Sequence, residues 1–132
     1  MVVQVIAVLA VALLALAAAF QVGLAAGAPW GAMAYGGTAV SADGSLPRAY
    51  RLGSGVAALV LLGAMWVVLA SAEIVAGGSV STAVLTVTLW CLASLFALNT
   101  LGNARGRHRL ERWGAGTVTA FLAILCAVMA AS

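Results

Sequence analysis

The stretch 52–101, LGSGVAALVLLGAMWVVLASAEIVAGGSVSTAVLTVTLWCLASLFALNTL, decides the fold of this chain. It holds two long apolar runs that meet at Gly77-Gly78, with Glu73 as its only charged residue. Each run is long enough to cross a hydrocarbon layer about 30 Å thick at about 1.5 Å per helical residue. In lipid the backbone has no water to bond, so every N–H and C=O must pair within its own segment. The runs are therefore expected to be helices in spite of their many β-branched Val and Thr residues. The glycine pair reads as a very short turn, which makes these two helices an antiparallel hairpin.

Outward from the hairpin, Val2 to Ala26 and Trp113 to Ala131 are apolar runs of the same kind. The reading is an all-α membrane protein, a four-transmembrane-helix bundle with helices at about 2–26, 52–76, 80–101 and 113–131 in one domain spanning 1–132. Composition agrees: 65% of the 132 residues are hydrophobic and 7% charged, where a soluble domain carries about 25% charged residues. A soluble fold of this length has too little interior to enclose so much apolar surface, so lipid must solvate most of it.

Orientation follows from parity. The loop after the first span holds Arg48 and Arg51, and the loop after the third holds Arg105, Arg107, Arg109 and Arg112; with four spans these loops share a side, and the other side has no arginine. The positive-inside rule then places both loops in the cytoplasm and the two termini outside, as in a multi-pass protein of a bacterial cytoplasmic (inner) membrane. A cleaved signal peptide over the first run would put both arginine loops outside. That run also lacks a basic leader and is longer than a usual signal core.

Between the first two spans lies the long segment 27–51. It opens on Ala28-Pro29-Trp30-Gly31, passes through Gly36-Gly37 and turns polar at Ser41-Ala42-Asp43-Gly44-Ser45. Apolar in its first half yet broken by Pro and Gly, it is either interfacial or re-entrant, and the interfacial reading is favoured.

Candidate chemistry is sparse. Glu73, read as one turn before the outer end of the second helix, faces the negative end of the helix dipole with no arginine on its side. It therefore calls for a partner: the N-terminal amine, Gln4, Ser81 or Thr82. It is a candidate ion site, against the plainer reading of an interfacial acid reaching water. Counting depths from the Gly77-Gly78 turn places Trp66 level with Trp90, inside the span, where two indoles pack together or line a polar cavity. The third span is the most polar, and Asn99, whose amide needs several partners, best represents a cavity wall. Packing between helices is the simpler role for its Ser and Thr residues. Arg48, Arg51, Arg105, Arg107, Arg109 and Arg112 are candidates for contact with anionic lipid headgroups, at about 1 kcal/mol for each basic residue near the surface. His108 and Glu111 are three apart and would share a helical face, but a single His makes a weak case for catalysis or metal binding. Gly23 and Gly27 form a GxxxG pattern, and Gly53 with Ala57 a second small-residue step, both suited to close helix approach. Cys91 and Cys126 lie in apolar runs and suggest neither a disulfide framework nor a metal site. No cofactor, no metal and no nucleic-acid partner is expected, since no basic patch interleaved with aromatics occurs.

Gly27-Ala28-Pro29-Trp30-Gly31, Gly36-Gly37, Leu46-Pro47 and Arg51, followed by Leu101-Gly102-Asn103 and Glu111-Arg112, resemble a group of uncharacterised small four-span bacterial membrane proteins. The resemblance covers most of the chain and implies topology rather than an activity. It also implies that the Pro-Trp-Gly segment and the loop from Asn103 to Arg112 lie on the same membrane side.

Three functions compete. The first is a non-enzymatic accessory or scaffold protein that associates through its helices as a homo-oligomer or within a larger membrane complex. The second is a transporter or ligand-binding protein with a cavity lined by the third helix, Trp66 and Trp90. Small multidrug exporters have this size and span count, but they carry a Glu in the first helix, and here that helix has none. The third, a lipid-modifying enzyme, would depend on His108, Glu111 and the neighbouring arginines.

Overall fold

The computed structural model describes all residues 1–132. It is all-helical, with four helices, α1 (Val2–Ala26), α2 (Arg48–Ser71), α3 (Thr82–Ala104) and α4 (Gly116–Ala131), each long and apolar enough to cross a membrane once α4 is counted from Leu110. A π-helical turn, Leu110–Ala115, runs directly into α4 and extends it. α1 packs mainly on α2 and α3 mainly on α4; α1 also meets α4, while α2 and α3 touch little. The bundle is thus two helix pairs joined along α1 and α4, with its loosest seam between α2 and α3.

Small residues set that packing. Ala7, Ala10, Leu14 and Ala18 recur at helical spacing on one face of α1 and share one buried core with Leu61, Ala64 and Val68 of α2, Leu85, Leu89 and Leu92 of α3, and Leu122, Cys126 and Met129 of α4. Between helices in an apolar solvent the gain comes from van der Waals contact, which short side chains increase by letting backbones approach. This core fills the half of the bundle that carries the chain termini. A smaller cluster of Leu24, Ala34 and Leu46, backed by Phe20 and Ala39, lies at the arginine-bearing end.

Helix boundaries depart from the hydropathy reading at α2, which begins four residues earlier than expected and ends five earlier. Pro47 stands just before the helix, where a residue without an N–H costs nothing, and Arg48 to Arg51 form its first turn. At the other end Glu73 takes φ 57°, its N–H bonds Ala70 O, and the Ile74 N–H bonds Leu69 O. These two bonds form a Schellman stop with Glu in the left-handed position that glycine usually holds. α1 ends the same way on Gly27, at φ 95°, with the N–H groups of Gly27 and Ala28 on Leu24 O and Gly23 O.

The short Gly77-Gly78 turn is consequently a ten-residue connection, 72–81, closed by Ser81, whose hydroxyl caps α3 by accepting the Val84 N–H. Trp66 and Trp90 do not stack: they are 41% and 47% exposed on the outer surface, and the ring pairs that form are Phe20 with Trp30 and Tyr35 with Tyr50.

Candidate functional site

The arginine-bearing half of the bundle is hollow. A cavity of about 960 Å³ is walled by all four helices and roofed by the loop between α1 and α2. Its sides are apolar, from Leu16 and Phe20 of α1, Val56 and Val60 of α2, Leu95 and Phe96 of α3, and Val118 and Leu122 of α4; Trp30, Met33 and Tyr35 close the top. Toward the termini it stops against Leu61, Phe96 and Leu122, which also belong to the packed core. Lining residues on several sides, Leu16, Val56, Val60, Leu95 and Leu110, keep large exposed areas, so the cavity is open at the surface while it ends against the packed core.

The roof is built by local bonding. Two 3₁₀ turns, Gly31–Met33 and Tyr35–Gly37, fold the loop back on itself, and the Gly31 N–H bonds Gly44 O. Trp30 lies flat over Gly23 and stacks on Phe20 with ring centroids 5.9 Å apart; a Cβ at Gly23 would fall inside the indole. Gly23 thus seats an aromatic ring rather than a second helix, and Gly27 terminates α1 beside the Arg51 guanidinium. Tyr35 has φ 51° and its hydroxyl lies 3.1 Å from Ser54 Oγ, a fully buried group on α2. Gly53 leaves room for that phenol. Non-glycine residues in the left-handed region cost about 1–2 kcal/mol, and such strain concentrates where a loop is held in one conformation for a task.

Glu111 is the acid that hydropathy obscured. The π turn at the start of α4 carries it inward, to 4% exposure at the cavity margin. Glu111 Oε1 accepts the Gly36 N–H at 2.9 Å, tying the roof to α4, and Glu111 Oε2 is buried with no hydrogen-bond partner. Gly106 packs directly on that carboxylate. A π turn widens the helix by one residue and turns side chains off the regular 3.6-residue face, a geometry common at functional sites. His108 does not share the Glu111 surface: it sits outside the turn, where Nδ1 accepts the Leu110 N–H. No group of His, Cys, Asp and Glu is arranged to hold a metal ion.

Two other buried side-chain atoms have no partner, Gln21 Oε1 of α1 and Ser71 Oγ at the end of α2. Asn99 lines the cavity with no side-chain bond of its own, whereas the polar groups beside it pair off: Thr100 donates to Thr119 at 2.9 Å, and Asn103 donates to Thr119 at 3.4 Å. Thr88 and Ser94 return their hydroxyls to the carbonyls of Val84 and Trp90.

Of the other residues singled out in the sequence, Glu73 is exposed beyond the end of α2, away from the cavity, and Trp66 and Trp90 do not line it. Trp90 instead borders a shallow outer groove with Val87, Cys91 and Ser94. Two arginines are committed within the chain: Arg51 Nε donates to Ala25 O, capping α1, and Arg112 donates twice to Gly106 O. Arg48, Arg105, Arg107 and Arg109 are exposed around the roof, with the Arg107 side chain beside Gly37. In the polar part of the loop, Asp43 accepts the Ser45 hydroxyl at 2.7 Å and the Ser45 N–H at 3.0 Å, and these bonds hold its carboxyl below the usual carboxylate range.

No family model matches this chain, and neither a curated protein nor a solved structure is significantly similar to it.

Proposed function

We propose that this protein binds an amphiphile within a bacterial cytoplasmic membrane, holding the apolar chain in the cavity and the head beneath the loop between α1 and α2. In this reading the loop lies at the interface, the arginines face the cytoplasm and the termini face outside, as their parity favours. The cavity carries the proposal. Its walls are apolar on all four helices and it is open at the surface, so a hydrocarbon chain can enter and be solvated there better than water. The blind inner end favours binding over transport across the bundle.

The accessory reading, in which the helices associate with a second copy or a larger complex, draws on the outward faces at Trp66 and Trp90. We rank it second, because an apolar face solvated by lipid needs no protein partner.

The test uses protein whose only tryptophan is Trp30, made by Trp66→Phe, Trp90→Phe and Trp113→Phe, reconstituted in lipid nanodiscs. Brominated lipids at low mole fraction should quench Trp30 saturably, and Ala57→Phe, which fills the cavity from α2, should abolish the saturable part. Quenching that rises only in proportion to bulk bromine, with or without Ala57→Phe, would overturn the proposal.

A further inference from the structure

Resting on the amphiphile-binding reading, the geometry points to an acyl-linked lipid as the occupant, with the carbonyl that joins chain to head accepting a hydrogen bond from Asn99. Of the amide, hydroxyl and carboxyl side chains that line the cavity, Asn99 is the one that is exposed and makes no hydrogen bond. Tyr35 bonds Ser54, Asn103 donates to Thr119, and Thr119 bonds the carbonyls of Ala115 and Gly116. Glu111 is buried with the Gly36 N–H on Oε1, and the Gln21 oxygen is shut away from any ligand. Serine and threonine in a helix can return a hydroxyl to the carbonyl one turn back, as Ser94 and Thr100 do here on Trp90 and Phe96; the Asn99 amide between them does not.

Depth makes that free amide informative. Asn99 is five residues before the end of α3, about 7.5 Å along its axis at about 1.5 Å per residue, and exposed Leu95, Leu98 and Leu101 flank it. In a bilayer that position lies in the apolar layer, where donors without acceptors are costly and water is scarce. The strongest acceptor that a lipid places at the edge of its hydrocarbon is the carbonyl of its acyl linkage. An ether linkage offers a weaker acceptor, and a bare hydrocarbon none. The order of groups along α3 matches the order along such a molecule: Leu95 and Phe96 in the apolar wall, the Asn99 amide, then Arg105, exposed at the end of the helix, where a polar head would lie. Asn99 thereby fixes how deep the chain enters as well as which linkage is held.

The single-tryptophan protein provides the test, in nanodiscs of unbrominated dialkyl, ether-linked phosphatidylcholine. Chain-brominated diacyl phosphatidylcholine is compared with chain-brominated dialkyl phosphatidylcholine; head and chains are the same and only the carbonyls differ. Half-saturation of Trp30 quenching should come at about a two- to tenfold lower mole fraction for the diacyl lipid, the range set by one neutral hydrogen bond. Asn99→Leu removes the donors at an exposed site, so the fold should persist, both lipids should still quench saturably, and the preference should vanish. Equal half-saturation by the two lipids with Asn99 in place, or a preference that survives Asn99→Leu, would overturn the carbonyl assignment and leave amphiphile binding standing. Absence of saturable quenching by either lipid would overturn both.

Discussion

Gly106→Ala tests whether the buried carboxylate is the pin of the roof. Gly106 is buried and has no positive φ, so alanine is conformationally acceptable there and alone should stabilise by about 0.4–1 kcal/mol through the unfolded chain. The added methyl, however, would lie on Oε2, Cδ and Cγ of Glu111, so the whole end of the side chain must leave its position. Doing so breaks the Gly36 bond to Oε1, a hydrogen bond to a charged group worth about 1.5–3 kcal/mol. The expected balance is a net loss of about 1–2 kcal/mol, with the roof released from α4. Gly102→Ala is the control: no atom lies within 4 Å of a Cβ there and the site is within α3, so it should stabilise by about 0.5–1 kcal/mol. Unfolding followed by circular dichroism in mixed micelles of increasing denaturing-detergent content measures both, and hydrogen exchange at Gly36 reports the bond directly. If Gly106→Ala proves as stabilising as Gly102→Ala, or leaves Gly36 protected, Glu111 does not hold the roof.

Other perturbations address separate parts of the fold. Glu73→Gly should stabilise by about 1 kcal/mol in the same unfolding assay, because glycine removes the left-handed penalty without touching the cavity; destabilisation would mean that the carboxylate has a partner. The Asp43 carboxyl sits below its usual 3.8, so its support of the loop is complete above that pH and lost as the pH falls through the lower folded value. Ser45 amide protection should therefore persist at pH 5 and titrate with a midpoint under 3.8, and a midpoint at or above 3.8 would contradict the Asp43–Ser45 bonds. Tyr35→Phe should cost about 1 kcal/mol and loosen the loop, since it leaves the buried Ser54 hydroxyl without its phenol; unchanged stability would show that Ser54 turns to its own helix. With Cys91 and Cys126 replaced by Ala, a single cysteine at Gly78 should react with an impermeant thiol reagent from outside intact cells and one at Arg48 should not. The reverse pattern would invert the topology.

How much could be read without coordinates varied with how local the cause was. Hydrophobicity is carried residue by residue, so four apolar helices follow from the sequence, as does the grouping of all six arginines in the two connections that follow the first and third apolar runs. Boundaries were less legible, because hydropathy does not register that Pro47 starts α2 or that Glu73 adopts a turn conformation that stops it. Glu111 was visible only as one charge in an arginine-rich loop. A small residue at Gly106 and a second Gly-rich segment at Gly36-Gly37 were the available signals, but neither indicates burial until the two loops are brought together.

By itself, then, the sequence determined that the helices are apolar enough to cross a membrane, how many there are and which residues lie at which end, since each depends on composition within a single segment. Only the tertiary structure decided that half of the bundle is packed and half hollow, that Gly23 and Gly27 serve a tryptophan and a helix end rather than a helix pair, and that Glu111 turns inward with one oxygen unpaired. Those outcomes depend on the loose seam between α2 and α3, the π turn before α4 and a hydrogen bond joining residues 36 and 111. Such features arise from how separate segments meet, which pattern along one segment does not encode.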